Sequence, residues 1–204
     1  MRTKQAIYSV LILVFVMGLT MVVTGGNLNP PAPPTAGTMK TLDQVEARIP
    51  IPADPYGAGT FTISQPGSYY LTGDRLVNPN NYGLRITASD VTVDLNGFTL
   101  RQLPSTFSYI GIYIDGADNV EIRNGTLRDF GGTGILAGGS QIRILNMRIL
   151  HNGNNGISCG GPGHNHQIRG CTVSYNAGSG IYTWNNSAVI GNTCNNNSTY
   201  GIFA

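Results

Sequence analysis

Six carboxylates fall in the middle of this 204-residue chain, at Asp90, Asp94, Asp115, Asp118, Glu121 and Asp129, with Arg123 and Arg128 among them. Clustered carboxylates are the oxygen ligands that calcium takes. A carboxylate pair at a set separation is what acid–base cleavage of a glycosidic bond requires, and a basic residue can accept a proton. Asp94 and Glu121 stand at equivalent places in two successive repeats, and Arg143 is next in that column. The simpler expectation is therefore a surface charge ladder, with Glu121 paired across to Arg143. No complete constellation of acid, base and metal ligands is present, so no catalytic residue is assigned.

His164 and His166, with Cys159 and His151 nearby in sequence, are weak metal candidates, because imidazole and thiolate suit copper or zinc. The spacing is loose, and residues 160–166 (Gly-Gly-Pro-Gly-His-Asn-His) also read as an ordinary long corner with incidental histidines. No metal is assigned. The cysteines are Cys159, Cys171 and Cys194. Cys171 and Cys194 both fall on inward positions of neighbouring repeats, which leaves a disulfide open in an exported chain. The expectation is buried, inert core thiols.

The elements that would position these residues repeat. Gly83-Leu84, Gly111-Ile112, Gly134-Ile135, Gly156-Ile157, Gly180-Ile181 and Gly201-Ile202 recur at steps of 28, 23, 22, 24 and 21 residues. A near-fixed period of this size marks a solenoid. A second anchor, Gly97, Asn124, Asn146, Gly170 and Gly191, follows one per coil. Two residues before it stand Leu95, Ile122, Ile144, Ile168 and Val189, and three after it Leu100, Leu127, Ile149, Val173 and Cys194. Within a coil the apolar residues alternate with period two, as in half-buried strands. The 28 Gly and 20 Asn supply residues that tolerate left-handed corners. The expected fold is all-β, a parallel solenoid of about 22-residue coils with three short strands each. Six residues after the second anchor stand Leu103, Phe130, Asn152, Asn176 and Asn197. The last three predict an amide ladder between coils, with Phe130 opening an apolar stack below it.

Alternation also puts Arg85, Tyr113, Leu136, Ser158, Tyr182 and Phe203 outward on the Gly-Ile strands. Arg85, Tyr113, Tyr182 and Phe203 are the candidate glycan-binding residues, because aromatic faces pack on sugar rings and an exposed apolar stripe marks a contact surface. The competing reading is that loops cover these aromatics.

Charged residues are only 11 % of the chain and net charge is +2. The arginines are scattered, which argues against a nucleic-acid binder. Arg2 and Lys4 precede an apolar run over 6–23, so 1–26 reads as a signal peptide or membrane anchor. The prolines at 30, 31, 33 and 34 make 27–40 a stiff linker. Residues 41–82 read as an N-terminal cap and first coil, with strands at 60–63 and 69–72 around a turn at 65–68, and 83–204 as the repeats. The chain stops inside a repeat strand, which reads as a truncation, a fragment or an end that pairs.

The repeats resemble right-handed parallel β-helix repeats of the pectin-lyase-like class over roughly 60–204. Residues 62–72 (Thr-Ile-Ser-Gln-Pro-Gly-Ser-Tyr-Tyr-Leu-Thr) and 91–100 (Val-Thr-Val-Asp-Leu-Asn-Gly-Phe-Thr-Leu) are similar to the opening of many exported bacterial β-helix proteins. That resemblance implies a secreted, periplasmic or surface-anchored protein whose Gly-Ile sheet lines a carbohydrate groove. It specifies the fold better than an activity. Hydrolases of the polygalacturonase type carry an Asp-Asp pair and an Arg-x-Lys; here there is no Asp-Asp and no lysine in any coil, and Gly163-His164-Asn165 is the nearest match to their Gly-His-Gly. The expectation is a non-catalytic carbohydrate- or surface-binding module. The alternatives are the N-terminal part of a polysaccharide lyase or glycoside hydrolase, where a lyase alone would call for calcium, and a NosD-like periplasmic metal-associated protein. Polysaccharide or a cell-envelope surface is the expected partner, with membrane contact only through the N-terminal segment.

Overall fold

A computed structural model describes residues 47–204 apart from Ser105, Pro162 and Asn185. The signal or anchor segment, the Pro-rich linker and residues 41–46 lie outside the described residues. Every strand pairing among the described residues is parallel and joins one coil to the next. The Gly-Ile segments make one seven-stranded sheet, from Phe61–Ile63 through Leu84–Ile86, Ile112–Ile114, Ile135–Ala137, Ile157–Cys159 and Ile181–Thr183 to Ile202–Phe203. A second, 12-stranded sheet takes two strands from each coil, one on either side of a sharp corner. In Val120–Arg128 and Arg143–Leu150 the strand runs through that corner unbroken. The aliphatics of both sheets, Ile112, Ile122, Leu127, Ile135, Ile144 and Ile149 among them, meet in one core at 0 % exposure. Each buried aliphatic of this kind contributes about 1.5–3 kcal/mol.

The stretch expected to hold a cap already runs in step with the coils. Ile49–Ile51 pairs with Gly67–Leu71, and Phe61–Ile63 with Leu84–Ile86. The turn expected at 65–68 is tighter than that, since Gly67 opens a strand.

Asparagine turns more corners than glycine does, eight against six among the described residues at positive φ. Of thirteen non-glycine residues at positive φ, eight are Asn and two are Asp. Asn124 (φ 57°), Asn146 (φ 53°), Gly170 (φ 65°) and Gly191 (φ 61°) turn the corner within the second sheet. A short amide side chain tolerates this left-handed backbone where most side chains do not.

The repeat glycines serve a different end. A Cβ on Gly83, Gly111, Gly134, Gly156 or Gly180 would lie 2.5–2.7 Å from the carbonyl oxygen of the equivalent glycine one coil along. The coils approach so closely there that no side chain fits between them. Gly156→Ala, whose methyl would also lie 2.3 Å from Val173 Cγ1, should cost about 3 kcal/mol by overpacking. Gly191→Ala, with open space around it, should cost only the left-handed strain of about 1–2 kcal/mol. Urea midpoints of the two variants check that order.

One register differs from expectation. Val93, not Leu95, pairs with Ile122, and Asp94 pairs with Arg123. After the corner Leu100 again matches Leu127. The corner at Leu95–Phe98, closed by Phe98 N–H donating to Leu95 O at 2.8 Å, holds two more residues than the one at Asn124. Asp94 and Glu121 therefore do not share a column, because counting back from Gly97 crosses the insertion.

The amide ladder is built into the core. Asn152 Nδ2 donates to Asn176 Oδ1 at 2.9 Å, and Asn176 Nδ2 to Asn197 Oδ1 at 2.9 Å. Each Oδ1 also accepts a backbone N–H from the preceding coil, from Phe130 (3.1 Å), Asn152 (3.1 Å) and Asn176 (3.1 Å) in turn. The second hydrogens of Asn176 and Asn197 go to Ile149 O and Val173 O. Below Phe130 the column is not simply apolar. Gln102, 1 % exposed, accepts from Gly131 N–H at 3.0 Å, one residue out of step with the asparagines. Asn176→Asp keeps the shape, removes the donor and sets a buried carboxylate against Asn197 Oδ1. A loss of about 3 kcal/mol in urea denaturation is expected, against under about 0.5 kcal/mol for the exposed Asn195→Asp.

Candidate functional site

Period-two alternation turns one residue per Gly-Ile strand outward, and in-register pairing stacks those residues. Thr62, Arg85, Tyr113, Leu136, Ser158, Tyr182 and Phe203 are successive Cα partners along the sheet. With strands about 4.8 Å apart, Tyr113 and Tyr182 lie three strands, about 14 Å, from each other. Tyr113 and Tyr182 are half-buried, while Phe203 is 40 % exposed.

Each tyrosine sits in an aromatic group. Tyr82 packs on Tyr109 (centroids 5.4 Å, edge to face) and on Tyr113 (5.5 Å). Tyr182 stacks on Phe203 at 5.0 Å and 10°. Trp184 leans on Tyr182 at 50°, and Tyr200 on Phe203 at 41°. Trp184 and Tyr200 are 46 % and 53 % exposed, so loops do not bury this second group. Gly160 makes room for it, since a Cβ there would lie 2.7 Å from Tyr182 Cε1. Tyr82, Tyr109, Trp184 and Tyr200 lie off the strand column in the connecting segments, where alternation gives no signal for them. Such edge and tilted pairs contribute about 0.5–1.5 kcal/mol beyond burial.

Polar groups flank the first aromatic group. Arg85 Nε donates to Asp115 Oδ2 at 3.0 Å. Arg85 and then Tyr113 hydrogen-bond Asp115 and hold its carboxyl below the ordinary range. The same contact with Asp115 holds the Tyr113 hydroxyl above its ordinary value.

The remaining carboxylate candidates are engaged structurally. Arg123 bridges Asp94 (3.0 Å) and Glu121 (3.0 Å), and Arg143 reaches Glu121 at 3.0 Å. Asn96 N–H also donates to Asp94. Asp90 accepts from Asn119 Nδ2, Asp118 from Ser140 N–H, and Asp129 from Arg128. This is the expected charge ladder, with Asp94 shifted to stand beside Arg123.

The histidines and cysteines do not converge. Among the described residues no three His, Cys, Asp or Glu side chains gather as metal ligands would. His164 is exposed, whereas His166 is 2 % exposed. His166 occupies the inward column of Val91, Val120 and Ile142, since Arg143 pairs with Gln167 and Glu121 with Arg143. The three thiols are free. Cys194 pairs with Val173 rather than Cys171. Burial pushes the Cys159 thiol up to about 12, Cys194 to about 11, and Cys171 also upward. Thiols held this way stay protonated and unreactive at neutral pH.

Among the described residues no well-aligned hydrogen bond reaches either ring nitrogen of His166. Burial lowers its pKa below the ordinary 6.5, although the Gly163 backbone stands close enough to favour its protonated form. The unfolded chain then takes up a proton near 6.5 that the folded chain refuses, so stability conferred above 6.5 is lost as pH falls below it. His166→Ile, matching Ile142 in the same column, should raise stability by about 1–2 kcal/mol by removing two buried nitrogens without a well-aligned partner. It should also flatten the fall in melting temperature between pH 7 and pH 5. Thermal melts of both proteins across that range check this, and an unchanged slope would refute it.

Comparison with known proteins agrees with this geometry. A family model described as right handed beta helix region matches residues 67–204, more than half of the chain. No curated protein and no solved structure matches the chain. No helix among the described residues is long and apolar enough to cross a membrane.

Proposed function

The chain belongs to the right-handed β-helix family, and from that premise we propose that it is an exported, non-catalytic module that binds carbohydrate through the outward face of its Gly-Ile sheet. One observation carries the reading. Two aromatic groups are anchored on one column of the sheet by Tyr113 and Tyr182, about 14 Å apart; Trp184, Tyr200 and Phe203 of the second are exposed, while Tyr82, Tyr109 and Tyr113 of the first are half-buried. Trp184 and Tyr200, tilted against the Tyr182–Phe203 stack, present both ring faces and edges. A sugar presents apolar C–H faces to such rings and hydroxyls to groups like Asp115. The 14 Å separation suits an extended chain of several sugars over a single small ligand. Export is supported by the basic start and apolar run at 6–23. A binding role over a catalytic one is supported by the engagement of Asp94 and Glu121 with arginines.

Binding to a glycan array by the full chain tests the reading. Tyr182→Ala and Tyr113→Ala should each weaken retention of the bound glycan about five- to tenfold, as loss of roughly 1–1.5 kcal/mol of aromatic contact implies. Unchanged binding in both variants would sink the assignment to this face.

A further inference from the structure

The arginines that look scattered in sequence meet on a different face of the solenoid. We propose a second ligand site there, on the outward side of the strand that follows the Asn124-type corner, which takes an anionic glycan through its carboxylate or sulfate groups. Parallel pairing sets Arg101 directly beside Arg128 in the next coil. Arg148 follows one coil further, in the adjoining column, beside Thr126. Consecutive coils are about 4.8 Å apart, so like charges are held next to each other, an arrangement that destabilises a sheet without a counter-charge.

The protein supplies only part of that counter-charge. Arg128 pairs with Asp129 at 2.7 Å. Arg148 Nε donates to Thr126 Oγ1 at 3.0 Å, and neither Arg148 nor Arg101 has a carboxylate partner among the described residues. Both are exposed. Arg75, 7 % exposed, adds a buried guanidinium whose Nε has no partner, while its terminal nitrogens donate to Pro52 O and Gly59 O. Asp74, at the rim, accepts from Thr99 N–H. Arg75 falls in the inward column of Leu100 and has Asp54 beside it, so the outward row is three guanidiniums, Arg101, Arg128 and Arg148, with one paired carboxylate, Asp129.

The surface is concave where these groups meet. A cleft of about 410 Å³ is lined by Asp74, Arg75, Thr99, Arg101, Thr126 and Arg128. A second hollow of about 650 Å³ continues past Arg101 to Asp129 and His151. His151 and the neighbouring Tyr175 stack at 5.1 Å and 10°, both at left-handed φ (55° and 56°). Two hollows joined at an unpaired arginine are too long for a single small oxyanion and fit a short run of an acidic polymer. Thr99 and Thr126 line the floor beside the guanidiniums, where a sugar's hydroxyls would lie. Nucleic acid would need free aromatic faces along the row, and His151 and Tyr175 turn their inner faces to each other.

Affinity electrophoresis of the full chain through gels holding polygalacturonate, dextran sulfate or a neutral glucan tests this. The two acidic gels separate carboxylate from sulfate as the anion. Retardation in at least one acidic gel is expected, falling as salt rises. The double variant Arg101→Gln/Arg148→Gln should weaken it about tenfold, and Arg101→Lys/Arg148→Lys by less. Both arginines point outward, and the one side-chain bond lost among the described residues is that from Arg148 to Thr126, so a melting temperature within a few degrees of wild type is expected. Tyr113→Ala and Tyr182→Ala should leave this retardation as it is, which separates the site from the one on the Gly-Ile sheet. Four results would overturn the proposal: no retardation in either acidic gel, equal retardation in the neutral gel, wild-type retardation of the Gln double variant, or tighter binding of single-stranded DNA than of either acidic glycan.

Discussion

The hydrogen bond between one coil and the next is the constraint from which the rest of this structure follows. At the start of the Gly-Ile strands it recurs almost unchanged. Leu84, Ile112, Ile135 and Ile157 N–H each donate at 2.9 Å to the carbonyl of the repeat glycine one coil along. Nothing bulkier than hydrogen fits on the α-carbon there, so the glycine period is set by backbone approach rather than by backbone flexibility. The same axial spacing brings Asn152, Asn176 and Asn197 within reach of one another. Each carboxamide then satisfies a corner N–H that has no strand partner.

Axial stacking also makes function columnar. Any side chain that alternation turns outward meets its equivalents a coil above and below, so one residue choice repeated a few times becomes a stripe. The Gly-Ile sheet uses this for aromatics, and the strand after the Asn corner uses it for arginine and threonine. Where opposite charges stack, as in Glu121 with Arg143, the stripe is spent on the protein itself. Where like charges stack, as in Arg101 with Arg128, it is left facing solvent with one carboxylate between them.

The fold and the Gly-Ile column were legible in the sequence because two periods agree there. A local period of two and a coil period near 22 place Tyr113, Leu136, Ser158 and Tyr182 without knowledge of loop shape. The reading failed where a corner changed length. Two extra residues at Leu95–Phe98 moved Asp94 beside Arg123, and a one-residue offset hid Gln102 as the amide below Phe130. Trp184 and Tyr200 were hidden for the same reason, since connecting segments carry no period. The arginine row was missed because Arg101, Arg128 and Arg148 lie in different coils and two different columns, so only the strand register brings them together.

Because alternation assigns inward and outward residues separately, the stability of this chain and the binding proposed for it rest on largely different side chains. Isoleucines, asparagines and the repeat glycines hold the coils and contribute little surface; the tyrosines and arginines mostly contribute surface, with Tyr69 and Arg75 buried toward one end. His166 shows what happens when an interior column departs from this rule. It fills an aliphatic position with a group whose charged form burial disfavours. A solenoid tolerates such a residue because each coil is held by two neighbours, and the coils carrying Ile142 and Ile149 on one side and Ile181 and Val189 on the other remain in register around it. An outward stripe should by the same logic tolerate replacement across several coils at once, since no inward contact has to be rebuilt to accommodate it.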